Sequence, residues 1–399
     1  MNNRLRLVLL TSAMALTSCA NNGDNSTGVV SIKEGIIPTF TTQRNLTEYQ
    51  KADFTGMSEF ITNSIKGVDR IHNKANYAFS PVSYYDSLGL LSQLSEYDGE
   101  KLYSDLGHES NEKLLSTLKN LRKGLNFDQS KENSLYRARL ASALSVLKSS
   151  KIELSKEVKD IIQDLELGLL FHGDSKEEEK QVKWLKEATF DLYNSNEPVI
   201  SGNDDTLLGF ISTLSYSYTY AFSKNTVEFN GKSVEGFIEE TSSLYYSDEV
   251  LRAVSISLKN EKLVFFVPNE GKTFDLSSIS STLEKMKESF VRISAPYFDI
   301  DNQLDLNEVT KTDLGIDYIY TKSALSKVSS SASAVSKIEQ KTTFSLSSNG
   351  IQASSTTAIK VPVAPGEVEY IDVNVDKPFY FSLIDSAGLP LFVGHVSNI

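Results

Sequence analysis

The run NGIQASSTTAIKVPVA, Asn349 to Ala364, constrains the fold of this 399-residue chain more than any other segment, because it suits two states at once. Its content is that of an exposed loop: Gly, Ser, Thr and Ala, the single charge of Lys360 and no large aromatic. Its alternation is that of a half-buried strand. Ile351, Ala353, Ser355, Thr357, Ile359, Val361 and Val363 share one face; Gln352, Ser354, Thr356, Ala358 and Lys360 share the other. The first face is uncharged and small or β-branched, so it can enter a sheet without burying an unpaired ion. A segment fit for both water and the middle of a sheet implies a sheet with room to receive it, and hence a conformational trap.

The rest of the chain supplies the material for such a sheet. Helical spacing dominates the first half: Phe54, Met57, Phe60 and Ile61; then a helix capped by Ser80 with Pro81 in its first turn, running through Tyr84, Leu88, Leu91 and Leu94. Further helices are expected over Glu112–Leu125, Ser155–Leu167 and Glu177–Tyr193. The second half turns to strands, at Leu214–Phe222, at Val250–Leu258 paired with Lys262–Val267, and around Arg292–Ile300 after a helix near Leu276–Phe290. Ser323–Ser336 suits helix or loop, and the chain closes on a hairpin of Phe379–Ile384 and Leu391–Val396 around a turn at Asp385–Gly388. Helices first and strands later mark an α+β domain.

The N-terminus carries a targeting signal. Arg4 and Arg6 precede an apolar run, Leu7 to Leu16, too short to span a bilayer. LTSC, Leu16 to Cys19, resembles the lipobox of bacterial lipoproteins, which implies removal of residues 1–18 and acylation of Cys19, the chain's one cysteine. Several acyl chains give stable anchoring, since each CH₂ contributes about 0.8 kcal/mol. Ala20 after the cysteine favours the outer membrane of a bacterial envelope. Residues 19–52, polar apart from Gly35–Phe40, are expected to be a flexible tether.

Composition excludes several function classes. A net charge of −12, two units lower once Arg4 and Arg6 are removed, argues against nucleic acid and polyanionic glycans. With Cys19 lipidated, disulfides, thiol catalysis and cysteine metal sites fall away. His72, His108, His172 and His395 show no ligand spacing, and G-x-S-x-G, Walker and H-E-x-x-H motifs are absent. Asp299–Glu308 has carboxylates at calcium-loop spacing but lacks the turn glycine, and is expected to be a solvated strand end. No cofactor or metal and no enzymatic activity are expected.

Several motifs then converge. KPFYFSL (Lys377–Leu383) with LFVGHVSNI (Leu391–Ile399) resembles the closing hairpin of the serpins, with Ile399 where a final Pro is usual. NYAFSPVS (Asn76–Ser83) is similar to that family's N-x-x-x-S-P-x-S signature. Trp184 with Thr189, FNGKSVEGF (Phe229–Phe237), VFFVPNEG (Val264–Gly271), and PYFDI with LDL (Pro296–Leu306) follow in the family's order. The resemblance covers about Phe54 to Ile399. It implies a single serpin-like domain over 53–399 with three β-sheets, eight or nine helices and an exposed reactive-centre loop at about 350–366. The sequence also departs from the pattern near the loop. Tyr220 and Phe222 stand in for the usual Asn-Ala and Trp near the loop's insertion point, and the hinge has Ile351 for Thr or Ser and Gln352 for Glu.

What the resemblance implies is a suicide-substrate inhibitor of serine proteases, and of cysteine proteases as an alternative class. The target's nucleophile would attack the loop, and the hinge residues Gly350, Ile351, Gln352, Ala353, Ser354, Ser355, Thr356 and Thr357 would enter the sheet and carry the acyl-enzyme with them. About 15 residues at ~3.3 Å each give a stroke of ~50 Å. Roughly a dozen ladder hydrogen bonds at a net ~1 kcal/mol, with burial of Ile351, Ile359, Val361 and Val363 at roughly 1.5–3 kcal/mol each, give about 20 kcal/mol. That exceeds ordinary folding stability, so the exposed loop must be kinetically trapped. Family loop length sets the reactive bond at Ala364–Pro365, or at Val363–Ala364 if proline is refused; either implies elastase-like or subtilisin-like specificity. The expected partners are a target protease and, through lipid, a membrane, with the protein otherwise a monomer. Two readings remain beside it: a non-inhibitory serpin, and an envelope lipoprotein that binds peptides or glycans.

Overall fold

The computed structural model describes residues 29–31, 35–37, 40, 45–95, 99–149, 153–193, 195–201, 208–321, 327, 335, 337–351 and 369–399. Its helices are α1 (Leu46–Lys51), α2 (Ser58–His72), α3 (Pro81–Leu94), α4 (Gly99–Asp105), α5 (Asn111–Leu125), α6 (Lys156–Asp164), α7 (Ser175–Ala188) and α8 (Ile279–Lys285). The strands begin with β1 (Val29–Ser31), β2 (Tyr77–Phe79), β3 (Phe127–Asp128), β4 (Tyr136–Leu147), β5 (Glu153–Ser155), β6 (Gly168–His172) and β7 (Leu208–Thr219). There follow β8 (Asn225–Phe229), β9 (Lys232–Ser247), β10 (Leu251–Ser257), β11 (Lys262–Pro268), β12 (Lys287–Pro296) and β13 (Phe298–Asp305). The last are β14 (Glu339–Ser347), β15 (Gly350–Ile351), β16 (Ile371–Asn374), β17 (Phe379–Ile384) and β18 (Pro390–Val396).

The expected α+β fold is present, with helices early and strands late. One sheet has seven strands on the path β13-β14-β15-β7-β4-β3, with β6 paired to β4; a second has nine on the path β16-β12-β9-β10-β11-β17-β18-β2, with β8 on β9. A two-stranded ribbon, β1 with β5, is the third sheet among the described residues. The nine-stranded path is continuous because β9 is long enough to pair β12 along most of its length and β10 at its end. Both large sheets close on one core. Phe298, Phe344 and Phe381 meet there, with Phe344–Phe381 ring centroids 4.5 Å apart and Phe298–Phe381 5.1 Å.

Local chemistry sets the helix starts. The Ser80 hydroxyl accepts from the Ser83 N–H at 3.2 Å and Pro81 occupies the first turn, which leaves fewer backbone donors unpaired. Asp174 caps α7 by accepting from Lys176 and Glu177 N–H, and so the charged run after it is a helix start. The closing hairpin turns on Asp385, whose Oδ1 accepts from Ala387 and Leu389 N–H at 2.9 Å each, with Gly388 at φ +84.

Several elements differ from expectation. The helix expected to reach Phe290 ends at Lys285, because Lys287–Pro296 finds a continuous antiparallel partner in β9, from Lys287↔Tyr245 to Pro296↔Gly236. α6 stops at Asp164, and Gly168–His172 becomes a strand beside β4. α7 stops at Ala188, before Phe190 and Asp191, which sit at positive φ. β4, the long inner strand, has no counterpart in the expected elements. Ser323–Ser336 lies almost wholly outside the described residues.

The tether expected over 19–52 is the largest correction. Cys19 and residues 20–28 lie outside the described residues, but from Val29 onward the described positions are attached to the body. β1 pairs antiparallel with β5, Ile36 bridges to Leu169, and α1 packs Tyr49 into the core. Ile36, Phe40 and Tyr49 find partners that composition could not name.

Candidate functional site

The seven-stranded sheet has a gap in its middle. β14 pairs on one side with β13, from Phe298↔Leu346 to Asp305↔Glu339. β7 pairs on the other with β4, from Tyr136↔Tyr218 to Val146↔Leu208. Between β14 and β7 the sheet path runs only through the two residues of β15. Gly350 sits between Ser347 and Thr219, and Ile351 between Leu346 and Tyr218, antiparallel to both strands. Beyond them lies a cavity of about 660 Å³ bordered by Ser212–Tyr216 of β7 and Gln340–Phe344 of β14.

β15 is held by backbone. Gly350 has φ +106, and a Cβ there would stand 2.4 Å from both Tyr218 O and Tyr220 N, so only glycine fits. The Tyr220 N–H donates to Asn349 O and the Phe222 N–H to Ser348 O, each at 3.3 Å. The Tyr220 and Phe222 rings pack tilted with centroids 4.5 Å apart, and Phe222 meets Phe237 at 4.3 Å. The two aromatics singled out in the sequence thus stand at the mouth of the gap. Ile351 is 1% exposed.

The two faces of the gap differ. On one side lies α3, whose Ser83, Ser87 and Leu88 line the cavity. On the other side, Leu185 of α7 with Thr189, Tyr193, Val199 and Ile200 roofs it. β7 alternates between them, with Tyr216 in the principal core on the α3 side and Ile211 in a smaller cluster with Trp184 and Leu185 on the α7 side.

Buried polar groups fasten the edges of the gap. The Gln340 side chain accepts from Ser80 N–H at 2.7 Å and donates to Ser80 O at 2.9 Å, tying β14 to the start of α3. Asp86, fully buried in the middle of α3, accepts from both terminal nitrogens of the Arg122 guanidinium, with Nη2 at 2.9 Å. It also accepts from Ser142 of β4 at 2.6 Å and from Ser212 of β7 at 3.3 Å. At the β15 end, buried Glu261 accepts from Tyr136 OH at 3.1 Å and Tyr216 OH at 3.0 Å, joining β4 and β7 to the β10–β11 turn. Burial first, and then the Glu261 charge, raise the Tyr216 pKa well above its ordinary value, so its hydroxyl stays a donor.

These fastenings escaped sequence reasoning. Asp86 alone left a trace, as one carboxylate in the apolar run Val82–Leu91. Of the expected site residues, Gly350 and Ile351 fall at the gap; Gln352, Ala353, Ser354, Ser355, Thr356, Thr357, Val363, Ala364, Pro365 and Cys19 lie outside the described residues. His395 is packed on Tyr380 at 4.6 Å and its ring faces Ala75 O, a structural role. Asp299–Asp305 is strand β13, and no group of three or more His, Cys, Asp or Glu able to hold a metal occurs among the described residues. Among them, too, no helix is long and apolar enough to cross a membrane.

The family model described as Serpin (serine protease inhibitor) matches residues 55–399. Human Serpin I2 is 28% identical over 170 residues, 39% of this chain and 41% of that protein; mouse alpha-2-antiplasmin is 30% identical over 114 residues, 28% and 22% respectively. The chain therefore matches less than half the length of each. Among solved structures, the thermophilic serpin tengpin in its native state superposes with a TM-score of 0.74 at 19% identity, covering 91% of this chain and 98% of that one. Serpin48 of the insect Tenebrio molitor gives 0.69 at 19% identity, covering 90% and 100%. With the family model spanning everything from α2 to the last strand, the chain belongs to the serpin family.

Proposed function

We propose that this protein inhibits serine proteases of elastase-like or subtilisin-like specificity by letting its cleaved loop complete the seven-stranded sheet. The observation that carries the reading is β15, the first turn-and-strand of the segment that would insert, already seated between β14 and β7. Continuing its antiparallel register, residue 353 would lie beside Phe344 and Tyr216, residue 355 beside Thr342 and Leu214, and residue 357 beside Gln340 and Ser212. These are the α3-side positions of the gap, which Ser83, Ser87 and Leu88 line. Ala353, Ser355 and Thr357 are the small uncharged residues such a position accepts. From Ile351 to Ala364 the stroke is about 43 Å at ~3.3 Å per residue. The chemistry of cleavage belongs to the target enzyme; this chain contributes a substrate bond and a faster competing event than deacylation. Acylation of Cys19 would hold the inhibitor at a bacterial membrane surface, where it shields envelope proteins.

Mixing the protein with pancreatic elastase or subtilisin tests this directly. The expected product is a complex that survives boiling in SDS, with a released C-terminal peptide starting at Pro365 or Ala364. The cleaved chain should melt tens of degrees above the intact one. Clean cleavage without a complex or a rise in melting temperature would overturn the reading and favour a non-inhibitory serpin.

A further inference from the structure

We propose that the N-terminal segment acts as a brace that holds the roof of the gap on the sheet and slows strand entry. The inference rests on the insertion reading above, but its structural basis is independent of any protease.

Three attachments carry it. β1 pairs antiparallel with β5 (Val29↔Ser155, Ser31↔Glu153), beside the start of α6. Ile36 exchanges two backbone hydrogen bonds with Leu169, donating at 2.9 Å and accepting at 2.8 Å, and so adds a partner to the free edge of β6. Gly35 is required for that approach, since a Cβ would stand 2.6 Å from Leu169 O.

The third attachment reaches the roof. The Phe40 ring lies 4.2 Å from the Arg139 guanidinium of β4, and the Phe190 ring lies 4.1 Å from the same group. Arg139 Nη1 donates to Glu187 O in the last turn of α7. One cation is thus gripped by rings from two segments and bonded to the end of the helix that roofs the gap. Phe40 also packs against the cluster of Ala141, Ala143, Trp184, Leu185 and Ala188 that glues α7 to the sheet. A cation held between two aromatic faces and partly desolvated is a stronger fastening than an exposed ion pair. Because Leu185, Thr189 and Tyr193 roof the cavity, a strand entering beneath them must loosen α7 from β4 and β7. Phe40 opposes that loosening.

The test uses the full-length protein, uncleaved, with Phe40→Leu and Gly35→Val. Phe40→Leu keeps an apolar side chain and removes the ring; Gly35→Val breaks the Ile36–Leu169 pairing by collision. Ile37→Ser, at a half-exposed neighbour, is the control. Incubated some ten degrees below the melting transition, both variants should convert to a heat-resistant, loop-inserted form at least tenfold faster than wild type and the control. Hydrogen exchange should show faster exchange of the Leu169 amide and of residues 185–193 before any conversion. Unchanged exchange in both variants overturns the brace, whether or not the protein inserts its loop. Faster exchange with an unchanged conversion rate overturns its role in slowing entry. If the cleaved wild type gains no heat resistance, it is the insertion reading that fails, and the exchange measurement still decides the brace.

Discussion

Ile351→Arg isolates the step on which the inhibitory reading depends. In the intact protein Ile351 is 1% exposed between Leu346 and Tyr218. Moving it to water forfeits about 1.5–3 kcal/mol of apolar burial, and a guanidinium kept in that position unpaired would add several kcal/mol. The intact variant escapes the larger cost by undocking two residues into solvent, so its melting temperature should move only a few degrees. The inserted state has no such escape, because position 351 must lie in the sheet for everything after it to follow. If half of a ~5 kcal/mol penalty is felt in the transition state for entry, insertion slows about 70-fold at 1.36 kcal/mol per factor of ten. Deacylation of the bound protease is untouched, so nearly every encounter should end in hydrolysis. Titrating a fixed amount of elastase with variant and wild type, and measuring SDS-resistant complex against cleaved inhibitor, reads the partition. Ile351→Thr, small and uncharged, should behave almost as wild type. Complex yield from Ile351→Arg equal to wild type would refute the reasoning, because it would mean that residue 351 need not enter the sheet.

Thr357→Arg should act similarly, since the register places it beside Ser212 and Gln340, where Asp86 is already taken by Arg122; normal complex yield would exclude that register. Asp86→Ala strands the Arg122 cation in the core, and should cost about 3–5 kcal/mol in urea denaturation; a loss under 1 kcal/mol would show that the network contributes little. His72, His108 and His395 all have pKa values lowered by burial from the ordinary 6.5. Their unfolded forms therefore bind protons before the folded ones do, and stability should fall as pH drops below about 6.5 toward 5. A melting temperature flat or rising from pH 7 to pH 5 would contradict this sign.

Periodicity and capping made much of the fold legible. The Lys377–Ile399 hairpin, the β10–β11 pair and the Ser80–Pro81 helix start are written in a few adjacent residues, because each depends on local backbone chemistry. The alternation in 349–364 likewise declares which face can be buried, without saying beside what. Tertiary structure alone supplied the partners. β4 is polar and charged at its start, Tyr136-Arg137-Ala138-Arg139, and becomes an inner strand only because β7, more than 60 residues later, lies beside it. Gln340 finds Ser80 across 260 positions, Glu261 finds Tyr136 and Tyr216, and Phe40 finds Arg139. Side-chain period records the direction of burial along one element, but the satisfaction of a buried polar group or the closing of a sheet edge depends on which distant atoms arrive there. For that reason the chain could announce a strand in waiting, while only the assembled sheet revealed the interruption between β14 and β7 and the Phe40 ring packed beside α7.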